Sequence, residues 1–197
     1  VIVDKETLAV YEARASDYAK MVETDAPFPA LDAFIARLPK GATVLDLGCG
    51  SGRASARMIA AGLNVDARDA SPAMIAQAHE LYGVEAQLAT FDDISGDDIY
   101  DGVWANFSLL HASKADFPRH LLALHRALKP TGQLHLGMKT GTAEIRDGIG
   151  RFYALYTQEE LDHILTTVGF QISRCAFGQD VGLDGVTAPW ILITAHV

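Results

Sequence analysis

The segment Val44-Leu45-Asp46-Leu47-Gly48-Cys49-Gly50-Ser51-Gly52-Arg53 constrains the fold more than any other stretch of the chain. A short apolar run with β-branched residues, Thr43 to Leu47, passes straight into three alternating glycines. Residues 51–61 then carry helical spacing and stop at Gly62. Glycines let a backbone turn sharply and approach a ligand with no Cβ in the way. In an open α/β sheet, ligands bind just outside the carboxyl ends of the strands, which is where this turn falls.

The rest of the chain repeats the alternation of strand and helix. Asn64 to Arg68 reads as a second strand. Ser71 as N-cap and Pro72 at the first helical position open a helix with Met74, Ile75, Ala78 and Leu81 on one face, ending near Gly83. Val84 to Leu88 and Asp101 to Ala105 read as the third and fourth strands. Leu121, Leu124 and Leu128 mark a helical stripe closed by Pro130 and Gly132, and Gln133 to Met138 follows as a fifth strand. Thr157 with Glu160 forms a capping box, and Phe170 to Ala176 and Trp190 to His196 are the last strands. This order predicts a doubly wound, mostly parallel α/β sheet covered on both faces. A helix over Glu6 to Lys20 precedes it, with Leu8, Tyr11, Ala15 and Tyr18 three or four residues apart. Thr140 to Arg151, rich in glycine and charge, reads as a long loop of the kind that covers active sites. The expected organisation is one domain over 1–197, with a helical lid region in 1–38 and a Rossmann-like core in 39–197.

The glycine turn narrows the ligand. A phosphate loop has Lys then Ser or Thr after its last glycine, whereas Arg53-Ala54 stands here. The dinucleotide fingerprint Gly-x-Gly-x-x-Gly is one residue longer than Gly48-x-Gly50-x-Gly52. Asp46, two residues before the first glycine, suits a ligand with an ammonium group better than a pyrophosphate. Asp69 closes the second strand, 21 residues after Gly48, the spacing that brings a carboxylate to the ribose of a nucleoside held by the first turn.

At these residues the chain resembles a known family. Asp46-Leu47-Gly48-Cys49-Gly50-Ser51-Gly52 is similar to the first motif of the class I S-adenosylmethionine-dependent methyltransferases, and Asp69-Ala70-Ser71-Pro72-Ala73-Met74 to their second. Tyr100 to Asn106 with Leu109-Leu110-His111 resembles the fourth strand and its exit. Arg126 to Gly132 resembles the turn before the fifth strand, with Thr131 where a second glycine is usual. The likeness runs from Tyr11 onward and is nearest to small proteins of the tellurite-resistance type. It implies seven strands with the last antiparallel, S-adenosyl-L-methionine as cofactor, and methyl transfer to a small-molecule acceptor.

The resemblance assigns site residues. Gly48, Gly50, Asp69, Ala70 and Met74 are expected at the cofactor, with Asp69 on the ribose and Met74 beside the adenine. Phe91 and Asp92 follow the third strand, where the base is read; Asp93 is adjacent, and which acid meets the adenine is left open. Asn106 offers a backbone carbonyl to the methionine ammonium group. Asp46 either lies near that amino-acid end or braces the backbone. Arg53 either pairs with the cofactor carboxylate or sits in solvent. Tyr11 and Tyr18 either fold over the cofactor as a lid or pack on the core. His111 is the best candidate to touch the acceptor and a weak candidate for a catalytic role. Arg151 and Tyr153, with Phe152 and Tyr156, are candidates for the acceptor wall. The chain reads Asn106-Phe107-Ser108-Leu109 and lacks the Asn-Pro-Pro-Tyr signature of amino-methylating nucleic-acid and glutamine enzymes.

Composition excludes other classes. The 197 residues carry a formal charge of -9, which repels phosphate backbones, and no Lys/Arg cluster offsets it. Cys49 and Cys175, the two cysteines, make neither a disulfide framework nor a zinc site. No apolar run is long enough to span a bilayer and no signal-peptide pattern opens the chain, so a cytoplasmic protein, monomeric or weakly dimeric, is expected. Two other readings compete: a non-catalytic S-adenosylmethionine-binding sensor or partner subunit, and a nicotinamide-dependent oxidoreductase, which Asp46 and the shortened glycine spacing disfavour.

Overall fold

The structure is a computed structural model that describes residues 4–22 and 27–197. Its centre is β1 (Thr43–Leu47), where Val44, Leu45, Asp46 and Leu47 are all buried. Burial on both faces is what a near-continuous apolar strand of a parallel sheet should show. β1 pairs in parallel with β2 (Asn64–Asp69) on one side and β4 (Tyr100–Asn106) on the other. The seven-stranded sheet runs β3-β2-β1-β4-β5-β9-β8, with β3 at Gln87–Leu88, β5 at Leu128–Lys139, β8 at Gln171–Val181 and β9 at Thr187–His196. β9 alone is antiparallel to its neighbours β5 and β8 in this sheet. The chain winds outward from β1 to β3 and returns to β4, so the order reverses between β1 and β4, where such sheets open a crevice.

Alternate side chains of β1 enter opposite layers, as a two-residue period requires. Leu45 and Leu47 join Val103, Leu134 and Leu136 under α5 (Phe117–Ala127) and α6 (Gln158–Val168). Val44 packs with Leu31, Phe34, Met58 and Trp104 beneath α2 (Pro29–Ile35) and α3 (Arg53–Ala60). α4 (Pro72–Tyr82) starts as its sequence dictates: the Ser71 hydroxyl accepts from Met74 N and Pro72 fills the first turn. Gly83 closes it in the left-handed conformation. α6 has the reciprocal cap between Thr157 and Glu160. α1 (Lys5–Val22) precedes the sheet and bends at Arg14. Residues 23–26, between α1 and α2, lie outside the described residues.

Five local expectations are corrected. The third strand is only Gln87–Leu88, because Val84 N is used to cap α4 on Ala78 O and its side chain is buried there. Leu81, expected on the buried face of α4, is exposed, while Met74 and Ala78 are buried. Leu128 belongs to β5 rather than to the helical stripe, since the proline at 130 disfavours helix just before it and Leu128 takes extended angles at the end of α5. Its pairing with Tyr100 is followed by a register shift to Gly102–Gln133, and Thr131 there has φ +67°. Finally, residues 140–151 are not an irregular loop: β6 (Glu144–Arg146) and β7 (Phe152–Ala154) form an antiparallel hairpin. Asp147 ties its turn, accepting from Ile149 N and Arg151 N. The final β8–β9 hairpin is longer at both strands than its apolar runs indicated. Among the described residues, no helix is long and apolar enough to cross a membrane.

Candidate active site

The carboxyl ends of β1, β2 and β4 open into a cavity of about 380 Å³. Its floor is the glycine turn. Gly48 N and Cys49 N both donate to Arg68 O of β2, at 2.8 and 3.0 Å, which fixes the turn against the sheet. Gly48 has φ +73°, and a Cβ there would lie 2.4 Å from Ser108 Cβ, so only glycine lets β4's exit pass this close. Gly50, with φ +55°, lies under the Tyr18 ring. Asp69 joins turn and helix: Oδ2 accepts from Gly50 N at 2.8 Å and Oδ1 from Ser71 N at 2.9 Å. Burial raises its pKa, while those amide bonds oppose the rise.

Of the residues singled out in sequence, Tyr11, Tyr18, Gly48, Gly50, Asp69, Ala70, Met74, Phe91, Asp92, Asn106 and His111 line this one cavity. Asp46, Arg53, Arg151 and Tyr153 do not line it. Asp46 lies beneath the turn, fully buried, where its Oδ2 accepts from Ser55 Oγ at 2.6 Å, and burial pushes its pKa up to about 7. That is the bracing arrangement. Arg53 places its guanidinium 5.2 Å from the centre of the Phe28 ring. The neighbouring acids at 92 and 93 part company. Asp93 turns back to accept from Thr90 N and Thr90 Oγ1 in a capping box, whereas Asp92 faces the cavity.

At the other end, β4 stops at Asn106 and the chain turns through Phe107, which holds φ +57°. A non-glycine residue occupies that region at a cost of about 1–2 kcal/mol, and such strain collects at functional sites. The Asn106 side chain points to His135, whose Nε2 donates to Oδ1 at 2.9 Å. Burial pushes His135 down to about 3, and its ring stacks on Trp104 at 3.7 Å. Ser108 is among the residues lining the cavity, and its hydroxyl is buried without a hydrogen-bond partner in the protein.

His111 is enclosed. Its Nδ1 lies 2.6 Å from Phe152 O, and a carbonyl can only accept, so Nδ1 carries the proton. Nε2 is therefore the acceptor for the Tyr11 hydroxyl at 2.9 Å. Burial pushes the imidazole down to about 4, so it is neutral at pH 7. The Tyr11 oxygen accepts in turn from Arg151 Nη1 at 3.1 Å, and Arg151 is paired with buried Asp147 at 2.8 Å. Arg151 and Tyr153, expected to wall the acceptor, stand behind this row: the Arg151 guanidinium is 5.2 Å from the Tyr153 ring centre.

α1 is the roof. Tyr11 and Tyr18 meet edge to face at 5.7 Å on its inner side. Glu12 accepts from Ser71 Oγ and, at 3.3 Å, from Ala73 N. On the opposite side Asp4 pairs with Arg146 at 2.7 Å, and Phe152 N donates to Thr7 Oγ1 at 2.7 Å. Phe152, a candidate for the acceptor wall, does line the cavity, whereas Ser108, His120, Arg146 and Glu12 are site or roof residues that sequence reading missed. None sits in a motif; only the break in pattern after Asn106 hints at Ser108. Among the described residues, no three His, Cys, Asp or Glu side chains cluster so as to hold a metal ion.

The comparisons agree with this geometry. Residues 44–132 match the family described as the methyltransferase domain. The Burkholderia thailandensis 1,6-didemethyltoxoflavin-N1-methyltransferase, solved with 1,6-didemethyltoxoflavin and S-adenosylhomocysteine, is similar with a TM-score of 0.79 at 22% identity, over 98% of this chain and 87% of that one. The DhpI–S-adenosylhomocysteine complex gives 0.69 at 24% identity, over 98% and 96% of the two chains. The 4+2 cyclase SpnF gives 0.70 at 16%, over 95% and 93%. At these identities the structures speak for the fold. No curated protein sequence matches significantly. The sheet with its single antiparallel strand is the Rossmann-like methyltransferase fold. Residues 44–132 thus resemble a methyltransferase domain, and the whole chain shares its fold with S-adenosylmethionine-dependent methyltransferases.

Proposed function

We propose that the chain methylates a small molecule held between the Ser108–His111 turn and the α1 roof. The observation that carries this reading is the continuity of the cavity. It runs from Gly48, Gly50 and Asp69, where the cofactor residues are gathered, to Ser108, His111, Phe152 and Arg146, beyond them. A protein that only binds the cofactor has no need of that second half, which disfavours the sensor reading.

The residues present fit S-adenosylmethionine. The glycine turn leaves open backbone, Asp69 offers a carboxylate at the end of β2, and Ser108 offers a buried hydroxyl that lacks a partner in the protein. Gly48, Gly50, Asp69, Ala70 and Met74 would hold it, with Asp92 at the base and the Asn106 backbone at the amino-acid end. The bound cofactor supplies a methyl group already activated by a sulfonium charge. The chain's own share is to orient, enclose and dry the site. Tyr18 covers Gly50, and Tyr11 closes on His111. His111 accepts a hydrogen bond from Tyr11 and is a poor base at pH 7, so its share is to seat the roof. Positioning therefore dominates over proton transfer in this site. We also place the roof within 1–38 and the rest of the domain in 39–197.

Calorimetry with S-adenosylhomocysteine and with NAD tests the cofactor. Binding of the first and not the second is expected, and preferential NAD binding overturns the reading. Asp69→Ala should weaken S-adenosylhomocysteine by about 1–3 kcal/mol, the range for losing hydrogen bonds to a charged group. Methyl transfer screened across thiols, halides, chalcogen oxyanions, amines and carboxylates tests the acceptor. Binding without transfer to any class of small molecule would leave the sensor reading in its place.

A further inference from the structure

β8 is a free edge of the sheet: β9 is its only neighbour there. After a register shift between Ile172 and Arg174, its pairing with β9 is regular from Arg174 to Val181. The outer side of this stretch presents a row of backbone donors and acceptors that no strand of the chain meets. Proteins commonly blunt such an edge with lysine, proline or a bulge. From Arg174 to Val181 there is no lysine, no proline and no bulge. The strand and its hairpin carry apolar side chains instead: Phe177 is 59% exposed, Val181 60% and Val186 58%. Two charges flank Phe177. Arg174 is exposed, and among the described residues its guanidinium has no hydrogen-bond or ion-pair partner. Asp180 is held in place, since its Oδ2 accepts from Trp190 Nε1 at 2.8 Å, and the Trp190 ring covers Gly178.

Arg174 and Asp180 stand at equal distances from Phe177, three residues to either side. When two identical strands pair antiparallel about a two-fold axis, facing residues lie on the same face of the sheet, so the register changes only in steps of two residues. With the axis at Phe177, Arg174 of each copy faces Asp180 of the other, and the two Phe177 rings lie side by side. Moving the strands by two residues puts Arg174 opposite Gly178 or Gly182 and leaves both charges unanswered. We propose that β8 is a homodimer interface, in which two copies pair antiparallel along Arg174 to Asp180 and join their sheets into one. Facing pairs of opposite charge and of aromatic rings are what stabilise such a contact. None of residues 171–181 lines the cavity, and β5 and β9 separate β8 from β4, so the contact leaves each cavity untouched.

Sedimentation velocity on the full chain is the test. A contact along one strand lies at the weak end of specific interfaces, so self-association with a Kd of roughly 1–100 µM is expected. Arg174→Asp sets two carboxylates opposite one another at each end of the pairing, and Asp180→Arg sets two guanidiniums there. Like charges directly opposite disfavour pairing, so either variant alone should self-associate about tenfold more weakly than the wild type, or worse. Mixed in equal amounts, the two variants should form a heterodimer, because each charge then meets its opposite on the other chain. Phe177→Lys leaves Arg174 and Asp180 in place and should also give a monomer, which keeps the idea testable if a charge variant misfolds; circular dichroism checks the fold of each. A wild-type chain that stays monomeric at about 500 µM overturns the proposal, whether its edge is left bare or taken by a strand of another protein. So does dimerisation that persists in Arg174→Asp and Phe177→Lys, which would put the contact elsewhere, and so does failure of the two charge variants to combine. Binding of S-adenosylhomocysteine should be equal in all these chains, and its absence overturns the cofactor reading alone.

Discussion

The floor of the cavity is held by backbone, whereas its roof is held by side chains. Beneath, Gly48 N and Cys49 N bond to Arg68 O, and Asp69 gathers Gly50 N and Ser71 N. Above, α1 is attached by Asp4 to Arg146, by Glu12 to Ser71 and by Tyr11 to His111. The Asp4–Arg146 pair is partly exposed, and exposed pairs contribute little and are screened by salt. Removing the roof therefore costs far less than disturbing the floor. A site that must admit ligands and then exclude water needs that inequality.

The largest effect should come from the floor. Gly48→Ala adds a Cβ 2.4 Å from Ser108 Cβ at a position with φ +73°. Overpacking and left-handed strain together should destabilise the fold by about 2–5 kcal/mol. Denaturant unfolding measures this, and a loss below 1 kcal/mol would mean that the turn gives way easily. Next is the carboxyl under the turn. With its pKa raised to about 7, Asp46 binds a proton in the folded chain that the unfolded chain releases above its usual value of 3.8. Its contribution is thus fully present below that value and is lost as pH rises through about 7. The span is on the order of a few kcal/mol. Buried neutral His111 and His135 act in the opposite sense, so the clean measurement is the wild-type chain against Asp46→Asn at each pH. The wild type should lose ground to the variant between pH 4 and 7; parallel curves would show that Asp46 titrates normally.

The roof should give smaller numbers. Tyr11→Phe strands His111 Nε2 and removes the acceptor of Arg151 Nη1, a loss of about 1–2 kcal/mol. Hydrogen exchange should show it first in residues 5–22, with the sheet unchanged; faster exchange throughout would make α1 part of the core. Arg146→Ala should have the smallest effect, and none at high salt. A large, salt-independent loss would erase the contrast between floor and roof.

The same contrast explains what could be read from sequence. The floor is written in contiguous residues because each glycine answers a local backbone demand, and Ser71, Pro72 and Gly83 mark helix ends by their own chemistry. The roof is written in pairs far apart in the chain: 4 with 146, 7 with 152, 11 with 111, 12 with 71. No local pattern announces such partners. The hairpin of residues 144–154 escaped because its strands are three residues each, too short for a period of two to show. His120 was hidden for another reason, since a histidine one turn into a helical stripe looks like any core residue. The ambiguity between Asp92 and Asp93 did have a readable answer. Thr90 three residues before Asp93 is a cap signature, and it leaves Asp92 as the acid facing inward.

One helix spans both ends of the cavity, with Tyr18 above Gly50 and Tyr11 above His111. Traffic through the site is consequently governed by a single gate. Every departure requires the same helix to let go of Glu12's hold on Ser71 and of Asp4's on Arg146. The tempo of turnover would then be set at the exit rather than at the bond being made. Changes at Glu12 or Asp4, which line up with no reacting atom, would retime it.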